Sequence, residues 1–134
     1  MQRNGFTLIE IIIAIAIIAI LSLIAAGVYV PYALKSRRSD AINVLLSISM
    51  AEERYRSNNT QYGTLAQVWS GVTTSPQGYY TLSITNVTTT GYTITATGIG
   101  NQANDSEGST SCSPMQLTLS SGTTTQTPTA CWPS

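Results

Sequence analysis

Residues Phe6–Ala26 read FTLIEIIIAIAIIAILSLIAA, an apolar run interrupted only by Thr7, Glu10 and Ser22. At about 1.5 Å of rise per helical residue the run spans roughly 30 Å, the thickness of a bilayer's hydrocarbon core. It predicts a membrane-spanning helix. Glu10 is out of place there. An ionised carboxylate within a membrane costs on the order of 3 kcal/mol or more, so this side chain calls for a partner. One source is local: the positive end of its own helix, or nearby headgroups, worth about 0.5 kcal/mol. Before the run stand Met1-Gln2-Arg3-Asn4-Gly5. Arg3 is the one charge there, which keeps the N-terminus cytoplasmic and sends the rest across. A secretory signal cleaved near Ala26 is the competing reading, because Ala25-Ala26-Gly27 offers small residues. Such signals have apolar cores of roughly 7–15 residues. This run is longer, and helical character continues beyond it, which favours a retained anchor.

Gly5-Phe6-Thr7-Leu8-Ile9-Glu10 resembles the processing site of type IV pilins and their pseudopilin relatives. The resemblance continues through the apolar run and Arg37-Arg38-Ser39-Asp40-Ala41 to the cysteines near the C-terminus. It implies that residues 1–5 are a leader, cut by a membrane-embedded prepilin peptidase between Gly5 and Phe6. It also implies N-methylation of Phe6 and an assembly role for Glu10. The chemistry is coherent. Cleavage exposes an α-ammonium with an ordinary pKa of about 8, and methylation keeps that nitrogen cationic. Glu10 follows about 6 Å along the helix axis. In a bundle of staggered parallel helices, Glu10 of one subunit can meet the ammonium of its neighbour. Neutralising two costly charges in an apolar bundle favours one axial register.

Beyond the run, Gly27 and Pro31 weaken the helix. Proline removes a backbone donor and costs about 3 kcal/mol in a helix interior; glycine costs less. A kink is expected over Gly27–Pro31. The resembling family often has proline at the position of Gly27, so the site of any melting in a fibre stays open. Helix should resume to about Ser57. Ala41, Val44, Leu45, Ile48, Ala51 and Tyr55 then form one apolar stripe. Arg37 with Asp40, and Glu52 with Arg56, are spaced as ion pairs on an exposed face, worth a few tenths of a kcal/mol. Lys35, Arg37 and Arg38 read as a solvated basic stretch just outside the membrane, with pairing between subunits as the alternative.

Composition changes after Arg56. Residues 58–134 contain no Lys or Arg, and only Asp105 and Glu107 as acids. Asn58–Gly78 reads as a connecting segment pinned by Tyr62, Leu65, Val68 and Trp69. Three alternating runs follow. Tyr80, Leu82 and Ile84 share a face; so do Tyr92, Ile94 and Ala96; so do Leu117 and Leu119. Ser and Thr fill the opposite faces, the period-two pattern of half-buried strands. The short link between the first two predicts an antiparallel hairpin. Cys112 and Cys131 are the only cysteines, and the chain has no histidine. In an exported head they suggest a disulfide, with two free thiols as the alternative. The resemblance implies the bridge, bracketing a variable surface segment over 113–130.

The expected fold class is therefore α+β and pilin-like: a long N-terminal α-helix packed on a small antiparallel β-meander of three to four strands. The expected organisation is a leader (1–5), a transmembrane and assembly helix (6–30), and a head (31–134). The head comprises the rest of the helix (31–57), a connecting loop (58–78), the meander (79–120) and the disulfide-bounded region (112–131).

Enzymatic chemistry finds no footing. There is no histidine, phosphate loop, nucleophile–base pair or metal-ligand cluster, so no catalytic residue, metal or cofactor is assigned. Asp105 and Glu107 could hold a calcium ion with carbonyls of Asn101 or Asn104, but such an ion wants six to eight oxygens, and a solvated turn is the simpler reading. Nucleic-acid affinity rests on Lys and Arg, which the head lacks after Arg56; the basic helix is a weaker candidate, much of it expected to be packed, so direct DNA binding is not expected. The reading is a structural subunit of a type IV pilus, serving adhesion, motility or DNA uptake. Its implied partners are itself or other pilins in a helical filament, the prepilin peptidase, an inner-membrane platform with its motor ATPase, and lipid before assembly. The implied location is the bacterial inner membrane as a precursor, then the extracellular pilus. The alternatives are a pseudopilin of a type II secretion system and a monomeric membrane-anchored binding domain.

Overall fold

Thr7 opens the first helix. Its carbonyl accepts the backbone N–H groups of Glu10 (3.1 Å) and Ile11 (3.3 Å), and its hydroxyl accepts that of Glu10 at 3.4 Å. This is how a threonine N-cap serves the orphan donors of a first turn. In the computed structural model, which describes residues 5–133, this helix is α1, Leu8–Arg56. Gly27 and Pro31 both lie within it. At its end Asn59 and Asn58 donate side-chain amides to the carbonyls of Tyr55 (2.8 Å) and Arg54 (3.3 Å). Arg54 and Arg56 suit the negative end of the helix.

The chain divides into two units at Ala33–Leu34. In the first, the large apolar side chains from Leu8 to Ile24 are all more than half exposed. Among the described residues no single helix meets the length and hydropathy of a membrane span; Leu8–Ile24 taken with Tyr29–Arg56 does, by length and composition.

The second unit is the α+β head. A short helix α2 (Leu65–Val68) lies in the connecting segment, and the Gln67 side chain reaches back to the Thr64 N–H at 2.8 Å. Among the described residues six strands follow: β1 (Tyr80–Thr85), β2 (Gly91–Gly98), β3 (Ser106–Glu107), β4 (Thr110–Ser111), β5 (Met115–Ser120) and β6 (Thr123–Thr127). A four-stranded antiparallel sheet runs β1-β2-β5-β6, and β3-β4 is a separate small hairpin. The expected faces hold in register. Leu82 faces Ala96, Ile84 faces Ile94, and Tyr92 faces Leu119. Gly91 sits where a Cβ would lie 2.1 Å from the Leu119 carbonyl oxygen, so only glycine allows this approach.

The inner face of the sheet packs on Ala41, Val44, Leu45 and Ile48 of α1, with Tyr62 and Trp132 closing the core. The rings of Tyr62 and Tyr92 meet edge to face, 4.8 Å between centroids, an arrangement worth about 1 kcal/mol beyond area burial. Leu65, Val68 and Trp69 pack against this core, as expected; Tyr55 is only half-buried. β6 carries the sheet past residue 120. The segment between the cysteines is therefore mostly two strands, and β5 is an inner strand with Met115 and Leu117 buried.

Candidate functional site

In the first unit, Phe6 and Glu10 come together. They line one shallow apolar depression of about 360 Å³ with Ile11, Ala14 and Ile15. Phe6 is 79% exposed and lies just before the helix, as does Gly5. Glu10 is in the first turn, three residues after the Thr7 cap. Thr-x-x-Glu is the spacing of a capping box, which the sequence reading of Thr7 as a mere polar interruption passed over.

In the head, the basic stretch is only partly solvated: Lys35 is exposed, Arg37 half-buried and Arg38 buried. Arg38 is 4% exposed, and its guanidinium faces two carboxylates. Nε and Nη2 donate to Asp105 at 2.5 and 2.9 Å, Nη1 donates to Glu107 at 2.6 Å, and Nη2 also donates to the Ser106 carbonyl at 2.8 Å. Lys35 adds a bond to Glu107 at 2.9 Å. The bonds it donates to Asp105 and Glu107 push the Arg38 pKa above the ordinary arginine value and keep it charged. Those from Arg38 and Lys35 hold the Glu107 carboxyl below its usual value. Asp105 and Glu107 are thus an ion-pair lock between α1 and the β3-β4 hairpin, which corrects their reading as a solvated turn. Arg37 stacks over the Tyr79 ring, 4.5 Å from its centroid.

The expected exposed pairs on α1 are also replaced. Asp40 is buried and accepts from the Ser75 hydroxyl (2.5 Å) and the Gln77 N–H (3.2 Å), rather than pairing with Arg37. Glu52 is fully buried and accepts the Gly63 N–H at 2.7 Å, rather than pairing with Arg56. Burial raises the Glu52 pKa, and its Oε1 meets no hydrogen-bond partner. Gln102, also buried, donates to the Leu34 carbonyl (3.0 Å) and the Tyr80 hydroxyl (2.8 Å). Desolvation pushes the Tyr80 hydroxyl up to about 12. Among the described residues no group of three His, Cys, Asp or Glu side chains could hold a metal ion.

Cys112 and Cys131 form a disulfide, Cα atoms 5.6 Å apart, with both residues buried. Beside it a groove of about 580 Å³ runs between α1 and the C-terminal segment, lined by Lys35, Ser39, Ile42, Asn43, Trp132 and Pro133 among others.

Two stretches of the chain match known families. Residues 1–26 match the prokaryotic N-terminal methylation motif. Residues 28–116, more than half of the chain, match the family described as "Type IV minor pilin ComP, DNA uptake sequence receptor". The chain belongs to this type IV minor pilin family. Its α+β architecture, long N-terminal helix and C-terminal disulfide accord with that membership. The pilin is also similar to the type IV major pilin protein PilA of Myxococcus xanthus (strain DK1622), with 34% identity over 65 residues. That match covers 48% of this pilin and 30% of the relative's length.

Proposed function

We propose that this pilin is a structural subunit of a type IV pilus, polymerising through its N-terminal helix. The carrying observation is the union in one chain of the methylation motif over 1–26 with the pilin family match over 28–116. In this reading the prepilin peptidase cuts after Gly5, Phe6 is N-methylated, and the precursor waits in the inner membrane. Residues 6–30 leave lipid for a helical bundle, where apolar packing replaces lipid contacts. A platform and motor ATPase supply the work. Glu10 of one subunit meets the Phe6 ammonium of another. Gly27 and Pro31 mark where the helix bends or melts to fit the fibre.

The family's description includes a DNA uptake sequence receptor. We infer that this pilin serves any such uptake as a filament subunit rather than by gripping phosphates. Residues 58–134 carry no Lys or Arg, Lys35 and Arg38 are engaged by Asp105 and Glu107, Arg37 stacks over Tyr79, and Arg54 and Arg56 at the end of α1 are the remaining cations among the described residues. Phosphate binding draws on free cations.

The test is Glu10→Ala in cells that make the filament. Membrane insertion should be unchanged while incorporation into sheared fibres falls sharply. Normal incorporation would defeat the role given to Glu10. In parallel, the purified pilin should retain no duplex DNA in a salt titration; steeply salt-dependent binding would overturn the second inference.

A further inference from the structure

The two edges of the head's sheet are finished differently. The outer edge of β1 is covered by the connecting segment. Leu82 donates its N–H to the Thr73 carbonyl at 2.8 Å, Ser75 donates to that of Tyr80 at 2.9 Å, and Thr74 bridges to Thr81. The outer edge of β6 meets no strand among the described residues.

The backbone groups left open there can be assigned. β5 and β6 are joined by Ser121 and Gly122, with φ of 48° and 83°. Two residues of positive φ make the two-residue hairpin turn whose twist suits antiparallel strands, with glycine supplying one of them. The flanking pair Ser120–Thr123 is then a hydrogen-bonded pair, and so are Thr118–Thr125 and Gln116–Thr127 two and four residues on. Thr124 and Gln126 therefore turn their N–H and C=O groups outward.

No lysine, proline or bulge lies within β6, and Pro128 follows only after its last residue. Folded proteins blunt open edges with lysine, proline or a bulge. β6 reads Thr-Thr-Thr-Gln-Thr, pairs residue for residue with β5, and is exposed except at Gln126. The strand is held in place by its surroundings. Trp132 donates its indole N–H to the Thr127 carbonyl at 3.4 Å, beside the Cys112–Cys131 bridge.

We propose that β6 pairs antiparallel with β6 of a second copy of this chain, about a two-fold axis at Thr125. The open groups are self-complementary under that operation. The axis sets Thr124 opposite the partner's Gln126, and Gln126 opposite the partner's Thr124. Each such pair exchanges two backbone hydrogen bonds, which uses every outward donor and acceptor. An uncharged strand also meets its own copy without repulsion, a condition that a charged edge fails. The contact is small, so a single pair is transient. Two fibres that each present several copies would multiply it.

The test traps the pair by cross-linking. At the axis the two Thr125 residues form a non-hydrogen-bonded pair, with Cα atoms about 4.5 Å apart. That lies within the disulfide range of about 4.4–6.8 Å. The full chain bearing Thr125→Cys is oxidised in detergent micelles beside Thr85→Cys, an exposed control on β1. Peptide mapping verifies that the Cys112–Cys131 bridge is intact in each. Thr125→Cys should give a dimer linked through position 125, in clear excess over the control. Adding Gln126→Pro removes one outward donor per copy, two of the four bonds, and should cut the yield about tenfold or more. Equal yields from the two cysteine variants would overturn the proposal, because association through the apolar helix raises both alike. So would a yield indifferent to Gln126→Pro.

Discussion

Arg38→Met isolates the ion-pair lock of the head. In the native chain the Arg38 and Asp105 side chains are 5% and 2% exposed, and two direct bonds of 2.5 and 2.9 Å join them. Methionine keeps much of the volume but leaves Asp105 a buried carboxylate without its cation. Removing one partner of a buried pair costs about 3–5 kcal/mol. The lost bonds give a similar figure, since a hydrogen bond to a charged group contributes about 1.5–3 kcal/mol. Domains are commonly stable by about 5–15 kcal/mol, so the loss is a large share of the total. Both tryptophans, Trp69 and Trp132, lie in the head, so their fluorescence during urea unfolding of the full chain in detergent reads this unit alone. The double variant Arg38→Met/Asp105→Leu replaces the pair by apolar side chains and should recover most of the loss. A single variant within about 1 kcal/mol of wild type, or a double variant no better than the single, would refute the reasoning.

Replacing Cys112 and Cys131 by serine should lower head stability by about 3 kcal/mol, measured by the same fluorescence, because the bridge closes a loop in the unfolded chain; an unchanged unfolding midpoint would contradict this. Glu52→Gln should equal or exceed wild-type stability at neutral pH. Burial raises the native Glu52 pKa, so its stability cost is absent below the unfolded carboxyl pKa, grows as pH rises toward the folded value, and is complete above it. The gap between variant and wild type should therefore close on acidification toward about pH 4, and a gap independent of pH would reject it. Glu107 works in the opposite sense. Its lowered pKa contributes stability above the unfolded carboxyl pKa that is lost as pH falls through the folded value, and Glu107→Gln should remove that acid-side dependence from the unfolding curve.

The sequence carried the segments whose patterns are local. Phe6–Ala26 announced a long apolar helix, and the alternations at Tyr80–Ile84 and Tyr92–Ala96 announced the hairpin with its faces the right way round. It misjudged charged residues on α1. Leu34, Arg38, Ala41, Leu45, Ile48 and Glu52 follow spacings of four and three, and all are buried. One step N-terminal of the apolar stripe reaches Arg38, and the four-residue step from Ile48 reaches Glu52, so the same spacing places both inside. Their partners, Asp105 and the Gly63 N–H, are 67 and 11 residues away, and no local pattern points to them. β6 escaped because Thr-Thr-Thr-Gln-Thr has no apolar alternation. It is a strand through its pairing with β5, not through a buried face.

The account's central claim is tested most directly by shearing the cell surface and weighing the intact chain, reduced and non-reduced. It predicts a mass for Phe6–Ser134 plus one methyl group, less two hydrogens when non-reduced. A chain beginning near Gly27 and found free in the medium would contradict it, since both Phe6 and Glu10 would then be lost with a signal peptide.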